Sequence, residues 1–173
     1  MEFDNAMKNA NEHVKFCLEI HKMQMNAGRY FLHEHPNPAS SWKMPEVVDM
    51  VAHADVDVVA CDMCAYGLKI TDANGEALVE KRTRLVSNSP EILKRVGLQC
   101  ETRTTQPEEE KHRHADTTCG RARKCQVYPK AFCRATCAGI ATQKKLRNLG
   151  LTALPLMSLS EAASMSKPSE DLH

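Results

Sequence analysis

Residues 29–42 read Arg29-Tyr30-Phe31-Leu32-His33-Glu34-His35-Pro36-Asn37-Pro38-Ala39-Ser40-Ser41-Trp42. Tyr30, Phe31 and Leu32 form an apolar run with strong strand preference. His33, Glu34 and His35 follow. Pro36 and Pro38 then end the strand, because proline has no N–H to give to a ladder. Three ionisable side chains therefore fall at the carboxyl end of a strand predicted to be buried. In open α/β sheets that edge is where ligands bind, which makes Glu34, His33 and His35 the first candidates for a site. The plain alternative is a solvated loop. A carboxylate between two imidazoles can accept or donate a proton, or hydrogen-bond the edge of a base.

On the amino side, residues 4–27 predict a helix. Asp4 suits its cap, and Gly28 its carboxyl end. Val14, Cys17, Leu18, His21 and Met25 recur at intervals of three and four and define one face. Helix, short turn and strand in that order suggest a parallel crossover unit whose first strand is not in the sequence. On the carboxyl side, Pro45 opens a second helix with Val47, Val48 and Val51 toward the core. Trp42 is expected to pack near the mouth of the site. Residues 55–64 predict a second strand. Asn74-Gly75 predicts a hairpin turn between 68–70 and 77–79, its returning strand running on through Lys81-Arg82-Thr83-Arg84-Leu85-Val86. Pro90 to Val96 predicts a helix, residues 97–123 a long polar loop, and Pro129 to Leu149 a last helix. In that last helix Ala131, Cys133, Ala135 and Ile140 are read among the apolar and small residues. The unit spans residues 1–150, and residues 151–173 read as a loosely held tail.

Composition narrows the function classes. The chain has 173 residues, 42% of them hydrophobic, enough for one domain with a core. Its formal net charge of +1 gives no global pull toward nucleic acid or membrane. No apolar run approaches the ~20 residues of a membrane span, and residues 1–10 lack the apolar centre of a signal peptide. A cytoplasmic or nuclear setting follows, in which the eight cysteines are expected as thiols rather than disulfides.

Two further stretches carry chemistry. On a strand, Lys81 and Thr83 face one side while Arg82 and Arg84 face the other; two arginines on one face suit phosphate or carboxylate. The alternative is the solvated face of an edge hairpin. Cys61-Asp62-Met63-Cys64 has the Cys-x-x-Cys spacing of zinc sites, and Cys100, His112, His114 and Cys119 supply further ligand types. A strand through 61–64 would point the two thiols to opposite faces, so a zinc site there requires a turn. Cys133 and Cys137, one helical turn apart, read as small core residues.

The run Gly28 to Pro36 with Ala39-Ser40-Ser41-Trp42 resembles the methyltransferase-like segment of Copia-type retroelement polyproteins of unicellular algae. The similarity continues in order through Asp62 to Gly67, Lys81-Arg82-Thr83, Asn88-Ser89-Pro90, His112-Arg113-His114, Gly120-Arg121-Ala122 and Tyr128-Pro129, covering roughly residues 12–141. That segment is similar in turn to the later half of cytosine-5 DNA methyltransferases. The resemblance implies an α/β fold with a partial Rossmann-like sheet and flanking helices. It implies Glu34 as the catalytic carboxylate holding a flipped base, and His33, His35, Lys81, Arg82 and Arg84 as substrate contacts. It implies S-adenosylmethionine as methyl donor. The family's Gly-rich cofactor loop and Pro-Pro-Cys nucleophile have no counterpart here, so an upstream polyprotein segment would have to supply them, and the chain alone is expected to be inactive. This preferred reading assigns no metal and leaves the cofactor-binding residues and the oligomeric state open. The alternative is a zinc-stabilised nucleic-acid-binding module of the same element, built on Cys61, Cys64 and the His112 region. A non-enzymatic remnant of marginal stability is a third.

Overall fold

A computed structural model describes residues 2–103, 111–117 and 121–151. The expected tail beyond residue 151, together with Cys119 and Gly120, lies outside the described residues. The chain opens with α1 (Glu2–Asn26), which Gly28 closes at φ 63°. Gly28 N–H donates to Met25 O and Arg29 N–H to Gln24 O, each at 2.8 Å, the pair of bonds that satisfies orphan carbonyls at a glycine-capped end. The face expected for this helix is the one found: Val14 and Leu18 are buried, and Cys17, His21 and Met25 partly so.

β1 (Leu32–Pro36) follows, then a 3-10 turn (Ser40–Lys43), α2 (Pro45–Val51) and β2 (Asp57–Asp62). A second 3-10 turn (Met63–Tyr66) leads into a hairpin of β3 (Lys69–Asp72) and β4 (Gly75–Leu78). The chain then gives β5 (Arg82–Ser87), α3 (Pro90–Val96) and α4 (Lys130–Asn148). In α2 the buried residues are Val47 and Met50; Val48 is exposed.

The fold is mixed α/β, but its sheets are antiparallel. β5 lies between β1 and β2 and pairs antiparallel with both. The hairpin forms a separate antiparallel sheet. The parallel Rossmann-like pairing expected from the sequence is therefore not what the described strands make. The expected crossover is present in altered form. β1 and β2 run parallel to each other, α2 connects them, and β5 is inserted between, as in a split βαβ unit. Two boundaries moved for the same reason. β1 is an edge strand rather than a buried central one, and the returning hairpin strand breaks at Val79–Lys81, so that 82–87 leaves the hairpin for the other sheet.

Register fixes the faces. Glu34 opposes Leu85, whereas His33 opposes Val86 and His35 opposes Arg84. Cross-strand partners share a face, so Glu34, Thr83, Leu85 and Cys61 look one way and His33, His35, Arg82, Arg84 and Val86 the other. The first face carries a core with Met63, Leu85, Ile92, Leu93, Val96 and Phe132. The second carries Val14, Leu18, Phe31, Val47, Met50, Val56 and Val86 under α1 and α2. The sheet is thus the middle of three layers.

Candidate metal centre

Asp62 ends β2, and the 3-10 turn that follows decides where Cys64 goes. Gly67, at φ 80°, closes that turn and its N–H donates to Cys64 O at 2.9 Å; a left-handed residue there is nearly free of strain only for glycine. Cys61 remains on the strand and points into the first core with no exposure. Cys64, turned off the strand, meets Cys100 just beyond α3, and His112 and His114 from the following segment. The ligand atoms of Cys64, Cys100, His112 and His114 all lie within 4.8 Å of one another.

The edges of this cluster can be compared with those a metal would set. A tetrahedral zinc with Zn–S of about 2.3 Å and Zn–N of about 2.05 Å has S···N edges of about 3.6 Å and an N···N edge of about 3.3 Å. Cys100 Sγ lies 3.5 Å from His112 Nε2 and 3.6 Å from His114 Nε2, and the two Nε2 atoms are 2.9 Å apart. Of these three edges only the last has to open, by a few tenths of an ångström. Two thiols and two imidazoles without a carboxylate suit zinc rather than magnesium or calcium. Four protein ligands leave no open position, the mark of a structural rather than catalytic site.

The surrounding groups hold the ligands in place. Glu80 Oε2 lies 3.6 Å from His114 Nδ1, behind the nitrogen that faces the cluster, an arrangement that fixes ring orientation in metal sites. Cys100 N–H donates to Asp62 Oδ2 at 2.9 Å, and Thr102 Oγ1 lies 2.8 Å from Cys100 Sγ. His114 bridges to Leu78 at the end of β4, and Ala115 N–H donates to Leu78 O at 2.7 Å. Arg113 Nη1 pairs with Asp72 Oδ2 at 2.6 Å. Hydrogen bonds from Arg113 and from the Asp116 and Asn74 N–H groups hold the Asp72 carboxyl well below the usual carboxylate range. Without a metal, burial and a hydrogen bond to Cys100 push the Cys64 thiol up to about 12; a coordinated cation reverses that preference.

The residues expected around Glu34 are divided by the sheet. Glu34 accepts a hydrogen bond from the Thr83 hydroxyl, which also donates to His35 O at 2.9 Å. The Tyr128 hydroxyl is a further partner; burial first, then Glu34, raises its pKa. Lys81 stays on this side, 4.2 Å above the Tyr128 ring. His33, His35, Arg82 and Arg84 are behind the sheet, so the expected group of a carboxylate flanked by two imidazoles does not form. Arg82 and Arg84 share a face as expected. Arg84 Nε donates to Asn37 Oδ1 at 3.0 Å, and its guanidinium lies over Trp42. Arg82 Nε is buried without a partner. His21 Nε2 lies 3.1 Å from His33 Nδ1, and its ring stacks on Phe31.

Sequence spacing reached Cys64, Cys100, His112 and His114 but also included Cys61, which the strand keeps away, and Cys119, which lies outside the described residues. It missed Glu80 and Asp62 behind the ligands, Thr83 and Tyr128 beside Glu34, and His21 beside His33. None of these has a local signal, because each acts on a partner distant in sequence. Cys133 and Cys137 are exposed rather than in the core; Ala131 and Ile140 are exposed as well. The buried residues of α4 are Phe132, Gly139 and Gln143.

The chain matches no protein-family model, no curated protein and no solved structure. Its class is therefore the one its own geometry defines: a mixed α/β domain with a four-ligand thiol–imidazole cluster. Among the described residues no helix is long and apolar enough to cross a membrane.

Proposed function

We propose that the chain is a zinc-stabilised nucleic-acid-binding module. The observation that carries this reading is the convergence of Cys64, Cys100, His112 and His114. Zinc bound there staples the turn after β2, the segment after α3 and the segment paired with β4. That stapling organises a basic surface. Residues 121–151 contain eight lysines and arginines and no aspartate or glutamate. Since the whole chain sums to +1, the other residues carry −7. A near-neutral total thus conceals a cationic stretch suited to phosphates. Thiol ligands stay available in reducing compartments, which supports a cytoplasmic or nuclear setting.

The test is fluorescence anisotropy with labelled DNA, comparing zinc-loaded chain with chelator-treated chain. The zinc-loaded chain is expected to bind, with affinity falling steeply as salt rises, and the chelated chain to bind at least about tenfold more weakly if the fold depends on metal. Equal binding by both forms would separate the metal from the function, and no binding by either would remove the function.

The methyltransferase-like reading, with S-adenosylmethionine as donor, is a second proposal. Its support is the motif order over residues 12–141 and a Glu34 carboxylate held by two hydroxyls. This reading expects no methyl transfer to DNA by the isolated chain; clear turnover by it would overturn that expectation.

A further inference from the structure

α4 packs on α3 through a narrow stripe. Phe132, Gly139 and Gln143 are buried along it, and Gly139 is the point of closest approach: a Cβ there would lie 2.7 Å from Ile92 Cα. Opposite that stripe, at 3.6 residues per turn, fall Lys130, Arg134, Ala141, Lys144, Lys145 and Asn148. All six are exposed. None of the four cations makes an ion pair among the described residues. α4 contains no aspartate or glutamate, so no i,i+3 or i,i+4 carboxylate within the helix offsets this charge.

The four cations are not evenly spread. Lys130 and Arg134 form one pair and Lys144 and Lys145 another. Arg134 and Lys145 are about 16 Å apart along the axis at 1.5 Å per residue. The turns between them present Cys137, Ala138 and Ala141, all exposed and all small. A helix with small residues at mid-length can sit deep in a groove, and cations at its two ends then reach phosphates on either wall. The major groove of B-form DNA, about 12 Å wide, admits a helix; the deep, narrow major groove of an RNA duplex does not. The stretch between the pairs carries no exposed arginine, glutamine or asparagine to read base edges, Gln143 being buried on the opposite side, so the contact is to backbone rather than to sequence.

Resting on the nucleic-acid-binding reading above, we propose that the outward face of α4 docks in the major groove of duplex DNA, Lys130 and Arg134 holding phosphates at one wall and Lys144 and Lys145 at the other. The cations anchor and the small residues admit.

The experiment uses the full zinc-loaded chain and a ~20-base-pair DNA duplex, with the same sequence as single-stranded DNA and as an RNA duplex, each titrated at several salt concentrations. The Arg134→Glu/Lys144→Glu/Lys145→Glu variant is expected to lose at least about tenfold in affinity for the DNA duplex. The slope of log affinity against log salt is expected to shrink by about 3, near 0.9 for each lost phosphate contact. A Lys144→Arg/Lys145→Arg variant keeps the charge and is expected to bind like wild type. Lys8→Glu/Lys22→Glu on α1 is expected to leave binding within about twofold. All substituted positions are exposed, and an unchanged zinc content and Tm confirm that each variant is folded. Unaltered affinity and slope in the α4 triple variant overturn the docking face while leaving nucleic-acid binding in place. Equal affinity for the RNA duplex or the single strand overturns the groove. Absence of binding by wild type removes both this inference and the function it rests on.

Discussion

Burial holds His21 neutral. Desolvation first, then the neighbouring His33 ring, lowers its pKa from 6.5 to about 4. The same cause, desolvation, lowers His33 and His35. The folded state therefore binds fewer protons at these rings than the unfolded chain does. Their contribution to stability is complete above about pH 6.5 and declines as pH falls below it, for His21 toward about 4. Urea unfolding midpoints are expected to drop between pH 7 and pH 5. His21→Phe, which keeps an aromatic ring against Phe31, is expected to decline less over that window. The difference between the two proteins isolates His21, because every other residue is common to both. Equal pH dependence in wild type and variant would contradict the assignment. At this scale the sequence was legible in its residue types and not in their grouping. His33-Glu34-His35 reads as one site in a string of letters, whereas a strand sends alternate residues to opposite faces. The expectation placed them after the strand, and they lie within it.

At the scale of elements, α3 and α4 meet because position 139 has no side chain. An added Cβ would lie 2.7 Å from Ile92 Cα and 2.9 Å from Glu91 O, both backbone atoms of a packed helix. Gly139→Ala gains about 1 kcal/mol of helix propensity but overpacks a contact that cannot yield cheaply, a cost of roughly 1–3 kcal/mol. The second effect is expected to win, seen as a lowered Tm; a Tm at or above wild type would show that the helices can part without loss. Beside this contact Gln143, buried, accepts from Ser89 Oγ at 2.8 Å and donates to Tyr30 Oη at 3.2 Å, tying α4 to the start of α3 and the approach to β1. A glycine and a glutamine on the packing stripe carry no apolar signal, so the buried face of α4 is not legible in the sequence. Its ends were legible, as were α3 and the hairpin turn, because Pro90, Pro129, Gly150 and Asn74-Gly75 act on their own backbone. The insertion of β5 between β1 and β2 was not legible. It depends on pairing between residues 20 to 55 positions apart, which alternation patterns do not specify.

At the scale of the whole molecule, the sheet separates two cores, and charge is distributed as unevenly as the chemistry. The metal ligands join segments from residue 64 to residue 114 at one end of the first core, and the cationic stretch lies downstream of them in the same chain. Composition alone reported near-neutrality, because the acidic and basic parts cancel in a sum. The four ligands were all visible as residue types, but their convergence depends on the turn at 63–66 and on the pairing of His114 with Leu78, neither of which spacing predicts. The central claim is that these four side chains hold a zinc ion on which the fold depends. The most direct test is elemental analysis of the zinc-loaded, dialysed chain, coupled to thermal unfolding before and after chelation. The account predicts one zinc per chain and a fall in Tm on the order of 10 °C or more on removal, since a ligand that binds only the folded state stabilises it by its binding free energy. Cys100→Ser is expected to retain well under one zinc per chain. A metal-free chain after zinc loading, with the same Tm in chelator as without it, would contradict the account.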